Sequence, residues 1–282
     1  YQILNTKNSK DTQFKMLNKL KLNFQDHKVL MKYCKTKKIL FLSTPYNFSD
    51  VDMLKKLNVS AFKLASMHLT EPVFIEYVAK QKKPIILSSG MSNYKDVKKS
   101  VKILKKKLKN KFILLQCTTN YPSDLKEANI NVIKEFNKKL KCHTGFSDHT
   151  NSDISSLVAV SLGAVAIEKH FTLNKNMNGP DHIFSLNPKE MKKFKEAIRS
   201  TEIILGNKIK KCQPSEKLNK KITIKKIISK TNINKGTRVN ENHFTLKRTD
   251  RGLTGFQLNN IIKKYSKKKI KEGSIIKLSY FK

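Results

Sequence analysis

The stretch TGFSDHTNSDISSLVAVSLGAVAIEKHFTL, residues 144–173, has the pattern of a strand, a helix and a second strand. Residues 144–147 and 164–170 are short runs of the kind that forms buried strands, and the segment between them has helical spacing. Both strand candidates run into a polar cluster that contains a histidine, His149 in the first and His170 in the second. We therefore predict a βα unit whose functional groups lie at the carboxyl ends of its strands.

The same alternation extends over residues 38–206, where short apolar runs alternate with longer lysine-rich segments. The further strand candidates are 39–43, 61–65, 84–88 and 112–117. The helix candidates are 51–57, 71–80, 94–108, 129–139, 152–162 and 188–205. We predict an α/β fold with a TIM-type (β/α)8 barrel over residues 1–206. Because such a barrel has eight strands, we expect it to lack its first strands in this chain, two of which precede or straddle residue 1.

The character of the sequence changes after Gly206. Residues 207–221 form a charged stretch, which we interpret as a linker. From residue 222 onward, apolar pairs lie in short segments that are separated by Gly236, Gly252 and Gly273, as expected at turns. Residues 222–282 are therefore predicted to be a second, small and β-rich domain.

The formal net charge is +38, from 59 Lys and Arg against 21 Asp and Glu. Such an excess is typical of proteins that bind nucleic acids or anionic membranes. The lysines are scattered along predicted helix faces, and no RNA-binding or zinc-finger motif accompanies them. We interpret them as solvated surface and expect no specific nucleic-acid partner. A non-catalytic basic protein that binds anions or nucleic acid remains the alternative from a different functional class.

The sequence favours a cytoplasmic protein without a membrane partner. Its apolar runs are far shorter than the roughly 20 residues of a membrane helix. The four cysteines are widely separated and lack CxxC spacing, so they indicate neither a zinc cage nor a disulfide framework. The sequence starts at Tyr1 without the charged and apolar regions of a signal peptide, and we expect it to be a fragment.

Polar residues follow nearly every strand candidate. In a βα barrel these strand ends face one mouth, so the clusters are expected to converge on a single pocket. The clusters are 43–45, 63–66, 88–91, 117–122, 147–150 and 168–170.

His149 and His170 end adjacent strand candidates. Two imidazoles placed in this way can share a divalent metal ion that leaves positions for water and substrate oxygens. The structural alternative is that each is a hydrogen-bonded core histidine. We expect His27, His143 and His243, which lack such a context, to be structural.

Several hydroxyls and one ammonium group lie in the same clusters. They suit an anionic ligand with a phosphate and a carboxylate. The alternative for the hydroxyls is that they cap the following helices. Lys63 has no obvious structural partner in a barrel mouth. The residues are Thr44, Lys63, Ser66, Ser88 and Ser147.

The motifs together resemble a known family. They are STPY, FKLAS, IILSSGMS, LQCTTNYP, GFSDHT, AIEKHFTL, GPDH and KRTDRG, in this order along the chain. This set resembles the N-acetylneuraminate (sialic acid) synthase family, which includes the legionaminic and related nonulosonic acid synthases. The resemblance implies a barrel, an antifreeze-like SAF domain at residues 222–282, and a domain-swapped homodimer.

The resemblance also implies an activity. Phosphoenolpyruvate would condense with N-acetylmannosamine or a modified relative, with addition of water and release of phosphate. C3 of phosphoenolpyruvate would attack the sugar aldehyde, water would add at C2, and the C–O bond to phosphate would break. A divalent metal, Mn²⁺ or alternatively Mg²⁺ or Co²⁺, would activate the aldehyde.

Residue roles follow from the same resemblance. His149 and His170 would be the metal ligands and, with Lys63, the catalytic residues. Phosphoenolpyruvate would be held by Thr44, Lys63, Ser66, Ser88 and Ser147. Tyr121 and Asp181 would contact the sugar, and Thr119 joins the substrate-binding set. Arg248 would reach into the site of the other subunit and bind the N-acyl group.

The chain departs from the family pattern at several positions. The opening EIGxNHNG motif is absent, and His68 stands where an acidic residue is usual, which puts an acid/base role there in doubt. The RPGTG motif is replaced by residues 248–252, which keep the arginine but lose the proline–glycine bend. His182 is more typical of the sialic and legionaminic branches. Another phosphoenolpyruvate-dependent sugar-acid synthase remains an alternative, although such barrels lack the C-terminal domain.

Overall fold

A computed structural model describes residues 13–282. The chain divides into two compact units, the first ending at Gly206 and the second covering Asn207–Lys282. Among the described residues, no helix combines the length and the apolar character that crossing a membrane would require.

The described part of the first unit, residues 13–206, contains one sheet of five parallel strands, hydrogen-bonded in chain order. The strands are β1 (Phe62–Leu64), β2 (Ile85–Ser88), β3 (Phe112–Cys117), β4 (His143–Asp148) and β5 (Ile167–Lys169). The helices are α1 (Gln13–Leu20), α2 (Phe24–Thr36), α3 (Phe48–Lys56), α4 (Pro72–Ala79), α5 (Tyr94–Leu108), α6 (Val132–Glu135), α7 (Ile154–Ser161) and α8 (Pro188–Leu205). Within residues 13–282 the sheet is a curled half-barrel.

Five of the six predicted strands are confirmed, and the prediction for residues 39–43 is wrong. A strand exists through its ladder of hydrogen bonds, and within the described part of the chain this segment has no ladder partner. Ile39 and Leu40 are 62% and 73% exposed, so their apolar character does not reflect burial in this sheet.

The helix predictions for 94–108 and 188–205 are confirmed at both ends. The side chain of Asn93 caps the amide of Asp96, and Asn187 forms a reciprocal capping box with Glu190. The predicted helix 129–139 is interrupted. Only the short α6 is α-helical there, and it continues as the π-helix Phe136–Leu140.

The main core lies between the sheet and the helices α3–α5. Side chains of a strand alternate between its two faces, so every second residue points outward. Fully buried residues of this outward set include Phe62, Leu64, Leu87 and Leu114. The outer face of β1–β3 is therefore largely apolar, and the other face carries most of the polar groups at the strand ends.

The second unit has its own small core. Its elements are α9 (Lys217–Thr223) and the antiparallel pair β6 (Lys225–Ser229) and β7 (Phe244–Arg248). Isolated bridges, such as Ile228 to Ile275, add further extended pairing. The core residues are Ile227, Ile233, Val239, Phe244, Ile261, Ile270, Ile276 and Phe281. The stretch interpreted as a linker, 207–221, belongs to this unit and contains a 3-10 turn and the start of α9.

Leu114→Ala is expected to lower the free energy of unfolding by about 2–5 kcal/mol, because it leaves a cavity at a fully buried core position. Leu173→Ala, in the same unit but 74% exposed, is the matched control and should cost less than about 0.5 kcal/mol. Urea unfolding followed by circular dichroism measures both. Equal losses for the two variants would contradict this assignment of the core.

Candidate active site

The concave face of the half-barrel carries the polar residues predicted for the site. Because side chains alternate along a strand, Lys63 on β1, Ser88 on β2, Cys117 on β3 and Ser147 on β4 point to the face opposite the apolar core. Glu168 on β5 lies beside Ser147 in the sheet register. The five strands thus contribute side chains to one surface.

A chain of hydrogen bonds connects these groups. The Lys63 ammonium donates to Ser88 Oγ at 2.8 Å and lies 3.4 Å from Glu168 Oε2. Ser147 Oγ donates to Glu168 Oε1 at 2.6 Å. β1 and β5 are opposite edges of the described sheet, so this ion pair spans its concavity. The site therefore holds a cation beside several hydroxyls.

The outer face of the same two strand ends carries a buried ion pair. Lys169 Nζ lies 3.1 Å from Asp148 Oδ2, which also accepts hydrogen bonds from Ser155 and Ser156. The Lys169 ammonium donates in addition to the backbone carbonyl of Thr150 at 2.6 Å. These contacts fix the backbone on both sides of residue 149.

His149 is oriented by its hydrogen bond to the backbone. Its Nδ1 lies 2.7 Å from the carbonyl oxygen of Thr118, which can only accept, so Nδ1 carries the proton. Nε2 then has a free lone pair and lies 3.5 Å from Ser147 Oγ. A histidine that donates one ring N–H to a carbonyl and presents the other nitrogen is the usual arrangement of a metal ligand.

His170 lies next to His149, with ring centroids 5.4 Å apart. Its Nδ1 is 3.8 Å from Asp181 Oδ2, and its ring contacts that of Phe184. Burial is the largest cause that lowers the pKa of both imidazoles. Both are therefore neutral at pH 7, the form that binds a metal ion.

The donor set fits a divalent metal that takes only two ligands from the protein. Among residues 13–282, no group of three or more His, Cys, Asp and Glu side chains is arranged to hold a metal ion. Two neutral imidazoles would leave the remaining positions to water and substrate oxygens.

Tyr121 covers the histidine pair. Its ring centroid lies 4.1 Å from that of His149 and 5.5 Å from that of His170. Burial, followed by nearby anionic groups, raises the pKa of Tyr121, so its hydroxyl remains protonated and can donate a hydrogen bond. This suits the predicted contact with a polyhydroxylated ligand.

Ser66 and Thr119 meet around the backbone of Gly90. The amide of Gly90 donates to Ser66 Oγ at 3.0 Å. A Cβ at Gly90 would lie 2.1 Å from Thr119 Oγ1 and 2.9 Å from Ser66 Oγ, so only glycine fits here. Cys117 Sγ lies 3.6 Å from Ser66 Oγ and 4.0 Å from Thr119 Oγ1.

Two predicted site residues are not brought into this network. Thr44 is half-buried, and its hydroxyl has no hydrogen bond to another described residue. Arg248 is exposed at the end of β7, in the second unit. Their predicted roles remain predictions.

The sequence placed Glu168 in a polar cluster of the expected pocket but indicated no role for it, and it did not indicate Phe184. The signal for the role of Glu168 was its spacing, since residues 168 and 170 point to one side of the chain and Lys169 to the other. Phe184 had no local signal, because its contact with His170 depends on the path of the intervening loop.

His68, which stands where the family usually has an acidic residue, is buried and only 1% exposed. Its Nδ1 lies 2.9 Å from Glu71 Oε2. Its Nε2 is the only buried side-chain polar atom of the described residues without a hydrogen bond.

Comparison with known proteins gives a consistent picture. Residues 1–210 match the model of the NeuB family. An N,N'-diacetyllegionaminic acid synthase of Campylobacter jejuni is 38% identical over 279 residues, which cover 98% of this chain and 83% of the relative. A synthase of the same name from Legionella pneumophila is 31% identical over 89% of this chain and 72% of its own. The crystal structure of an N-acetylneuraminic acid (sialic acid) synthetase from Leptospira borgpetersenii has a TM-score of 0.69 at 30% identity, and the match covers 76% of this chain and 75% of that one.

The imidazoles of His149 and His170 are expected to titrate with midpoints below the ordinary value of about 6.5, because burial disfavours their charged forms. Long-range ¹H–¹⁵N NMR spectra of the metal-free protein between pH 4.5 and 8 measure this. His149→Gln and His170→Gln assign the two signals. A midpoint at or above 6.5 for either ring would contradict the assignment of both as neutral donors.

Proposed function

We propose that this chain, which belongs to the NeuB family, condenses phosphoenolpyruvate with an N-acylmannosamine-type sugar. It is an enzyme of nonulosonic acid synthesis. The proposal of these two substrates rests on two features that lie together on the concave face of the sheet. They are the hydrogen-bond network around the Lys63–Glu168 ion pair and the neutral pair His149 and His170.

The network around Lys63 supports binding of phosphoenolpyruvate. This substrate carries a phosphate and a carboxylate, which require positive charge and hydrogen-bond donors. Lys63 supplies the charge, and hydroxyls from successive strand ends supply the donors. The proposed contacts are Thr44, Ser66, Ser88, Thr119 and Ser147. Before substrate binds, Glu168 orients the ammonium of Lys63 and the hydroxyl of Ser147.

The histidine pair supports binding of the sugar aldehyde. A divalent ion, Mn²⁺ or alternatively Mg²⁺ or Co²⁺, would be held by His149 and His170 and would polarise the aldehyde oxygen. Tyr121 and Asp181 flank the pair and are proposed to bind sugar hydroxyl or amide groups. His149, His170 and Lys63 are the proposed catalytic residues.

The proposed reaction conserves all atoms of the two substrates and one water. C3 of phosphoenolpyruvate forms a bond to the aldehyde carbon of the sugar. Water adds at C2, and the C–O bond to the phosphate group breaks. The products are a nine-carbon 2-keto acid, in its open or cyclised form, and inorganic phosphate.

The proposed architecture is a (β/α)8 barrel without its first strands over residues 1–206, with 207–221 as a linker, and an antifreeze-like SAF domain at 222–282. In a domain-swapped homodimer, Arg248 of one subunit would bind the N-acyl group in the site of the other. The exposure of Arg248 supports a role in contacts outside its own unit. We propose a cytoplasmic location on the wide separation of the four cysteines in the sequence.

Purified protein that also carries the first strands of the barrel is expected to release phosphate only when phosphoenolpyruvate, an N-acylmannosamine-type sugar and Mn²⁺ are all present. A phosphate-release assay with N-acetylmannosamine and a 2,4-diacetamido analogue in parallel identifies the sugar. The matched variants are Lys63→Met and Lys83→Met. Lys83 lies at the amino end of β2, where it donates to Asn58 and Val59.

Lys63→Met should lower kcat/KM for phosphoenolpyruvate by roughly 100-fold or more, and Lys83→Met should change it by less than about threefold. Equal effects of the two variants would contradict the assignment of Lys63. Absence of sugar-dependent phosphate release from the unmodified protein would overturn the proposed function itself.

Arg248→Ala is expected to raise the KM for the sugar by about tenfold and to leave the KM for phosphoenolpyruvate unchanged. Arg238→Ala, which removes another arginine of the same unit, is the control. In a mixed dimer of the inactive His170→Ala variant and Arg248→Ala, one site has its own His170 and receives Arg248 from the other subunit. That site should have the wild-type KM for the sugar if Arg248 acts across subunits. No recovery in mixed dimers would contradict the domain swap.

A further inference from the structure

The segment that follows β5 forms a loop whose end pairs with its beginning. The amide of Leu186 donates to the carbonyl of His170, and the amide of Thr172 donates to the carbonyl of Leu186, both at 2.9 Å. Phe171 and Leu186 form an isolated parallel bridge. Residues 173–185, the return loop, therefore have both ends fixed beside the predicted metal ligand His170.

His182 anchors the interior of the return loop. Its Nδ1 lies 2.7 Å from Thr172 Oγ1, and that buried hydroxyl donates its own proton to the carbonyl of Asn174 at 3.0 Å. Thr172 Oγ1 therefore accepts from the Nδ1–H of His182. A single buried hydroxyl, three residues after the end of β5, is thus bonded to the interior of the loop.

Gly179 confines the imidazole of His182 from another side. A Cβ at Gly179 would lie 2.8 Å from Cδ2 and 2.9 Å from Nε2 of that ring. The backbone of the loop is thus packed directly on the imidazole. The ring is held between Thr172 and Gly179.

The two neighbours of this anchor contact the active site. Asp181 precedes His182, and its carboxylate lies 3.8 Å from Nδ1 of His170. Phe184 ends the 3-10 turn that His182 begins, and its ring lies 5.1 Å from that of His170 and 5.8 Å from that of Tyr121. Ser185 Oγ donates to the carbonyl of Asp181 and closes the turn.

We propose that His182 is a positioning residue, which through Thr172 holds Asp181 and Phe184 against His170 and so sets the affinity of the site for the sugar. This inference rests on the proposed function. A carboxylate such as Asp181 accepts hydrogen bonds from hydroxyl and amide groups of a sugar, whereas it repels the anionic phosphoenolpyruvate. Loss of the anchor should therefore affect the two substrates differently.

A double-mutant cycle tests the anchor. Thr172→Val removes the accepting hydroxyl with little change of shape, and His182→Phe keeps an aromatic ring but removes Nδ1. Each is expected to raise the KM for the sugar about tenfold without changing the KM for phosphoenolpyruvate. The double variant should be no worse than Thr172→Val alone, because both substitutions remove the hydrogen bond between His182 Nδ1 and Thr172 Oγ1, whereas Thr172→Val also removes the bonds to Asn174.

Two further variants distinguish a positioning role of His182 from a general destabilisation of the protein. His182→Asn places an amide N–H where Nδ1 was and should restore most of the sugar affinity. Thr201→Val removes a hydroxyl that donates to Ala197 within α8 and should leave both KM values unchanged. Additive effects in the cycle, equal losses for both substrates, or no rescue by asparagine would overturn the proposal.

Hydrogen–deuterium exchange provides a readout that is independent of activity. In His182→Phe and Thr172→Val, amides of residues 173–186 should exchange about tenfold faster, while those of α5 remain unchanged. Unchanged exchange in the loop would overturn the anchor even in an active enzyme. If exchange in the loop becomes faster in the variants but the unmodified protein shows no sugar-dependent activity, the proposed function is refuted. The contact between His182 and Thr172 then has a structural role only.

Discussion

The ion pair between Lys63 and Glu168 depends on the curvature of the sheet, and the proposed site depends on that ion pair. The two residues lie on β1 and β5, which are four strand spacings apart. In a flat sheet that separation would be about 19 Å, since neighbouring strands lie about 4.8 Å apart. A distance of 3.4 Å between the charged atoms requires a strongly curled sheet. The curl brings side chains from distant parts of the chain to one surface.

Because side chains alternate along each strand, the two faces of the sheet carry different kinds of residue. Outward residues build the apolar core against α3–α5, and inward residues supply charge and hydroxyls. At the ends of β4 and β5 the two faces carry separate ion pairs. Asp148 and Lys169 form the outer pair, whose contacts fix the backbone around His149. Removing one partner of such a buried pair leaves an uncompensated charge, which is strongly destabilising.

Much of the first unit could be predicted from the sequence, because its signals are local. The capping residues Asn93 and Asn187 mark helix starts that the structure reproduces. The strand at 39–43 was wrong, because apolar composition does not reveal whether a neighbouring strand is available to complete the ladder. Glu168 was placed in the expected pocket without a role, because three consecutive polar residues hide the alternation that separates it from Lys169. The contacts of Phe184 and His182 arise from a loop whose path no local pattern specifies.

The most direct test of the central claim is a crystal structure of the protein with Mn²⁺ and phosphoenolpyruvate, with the metal located by anomalous scattering. We expect one strong anomalous peak within coordination distance of His149 Nε2 and a nitrogen of His170. We also expect the phosphate of phosphoenolpyruvate in contact with the Lys63 ammonium. A metal bound elsewhere, or phosphoenolpyruvate bound away from Lys63, would contradict the site on which the proposed function rests.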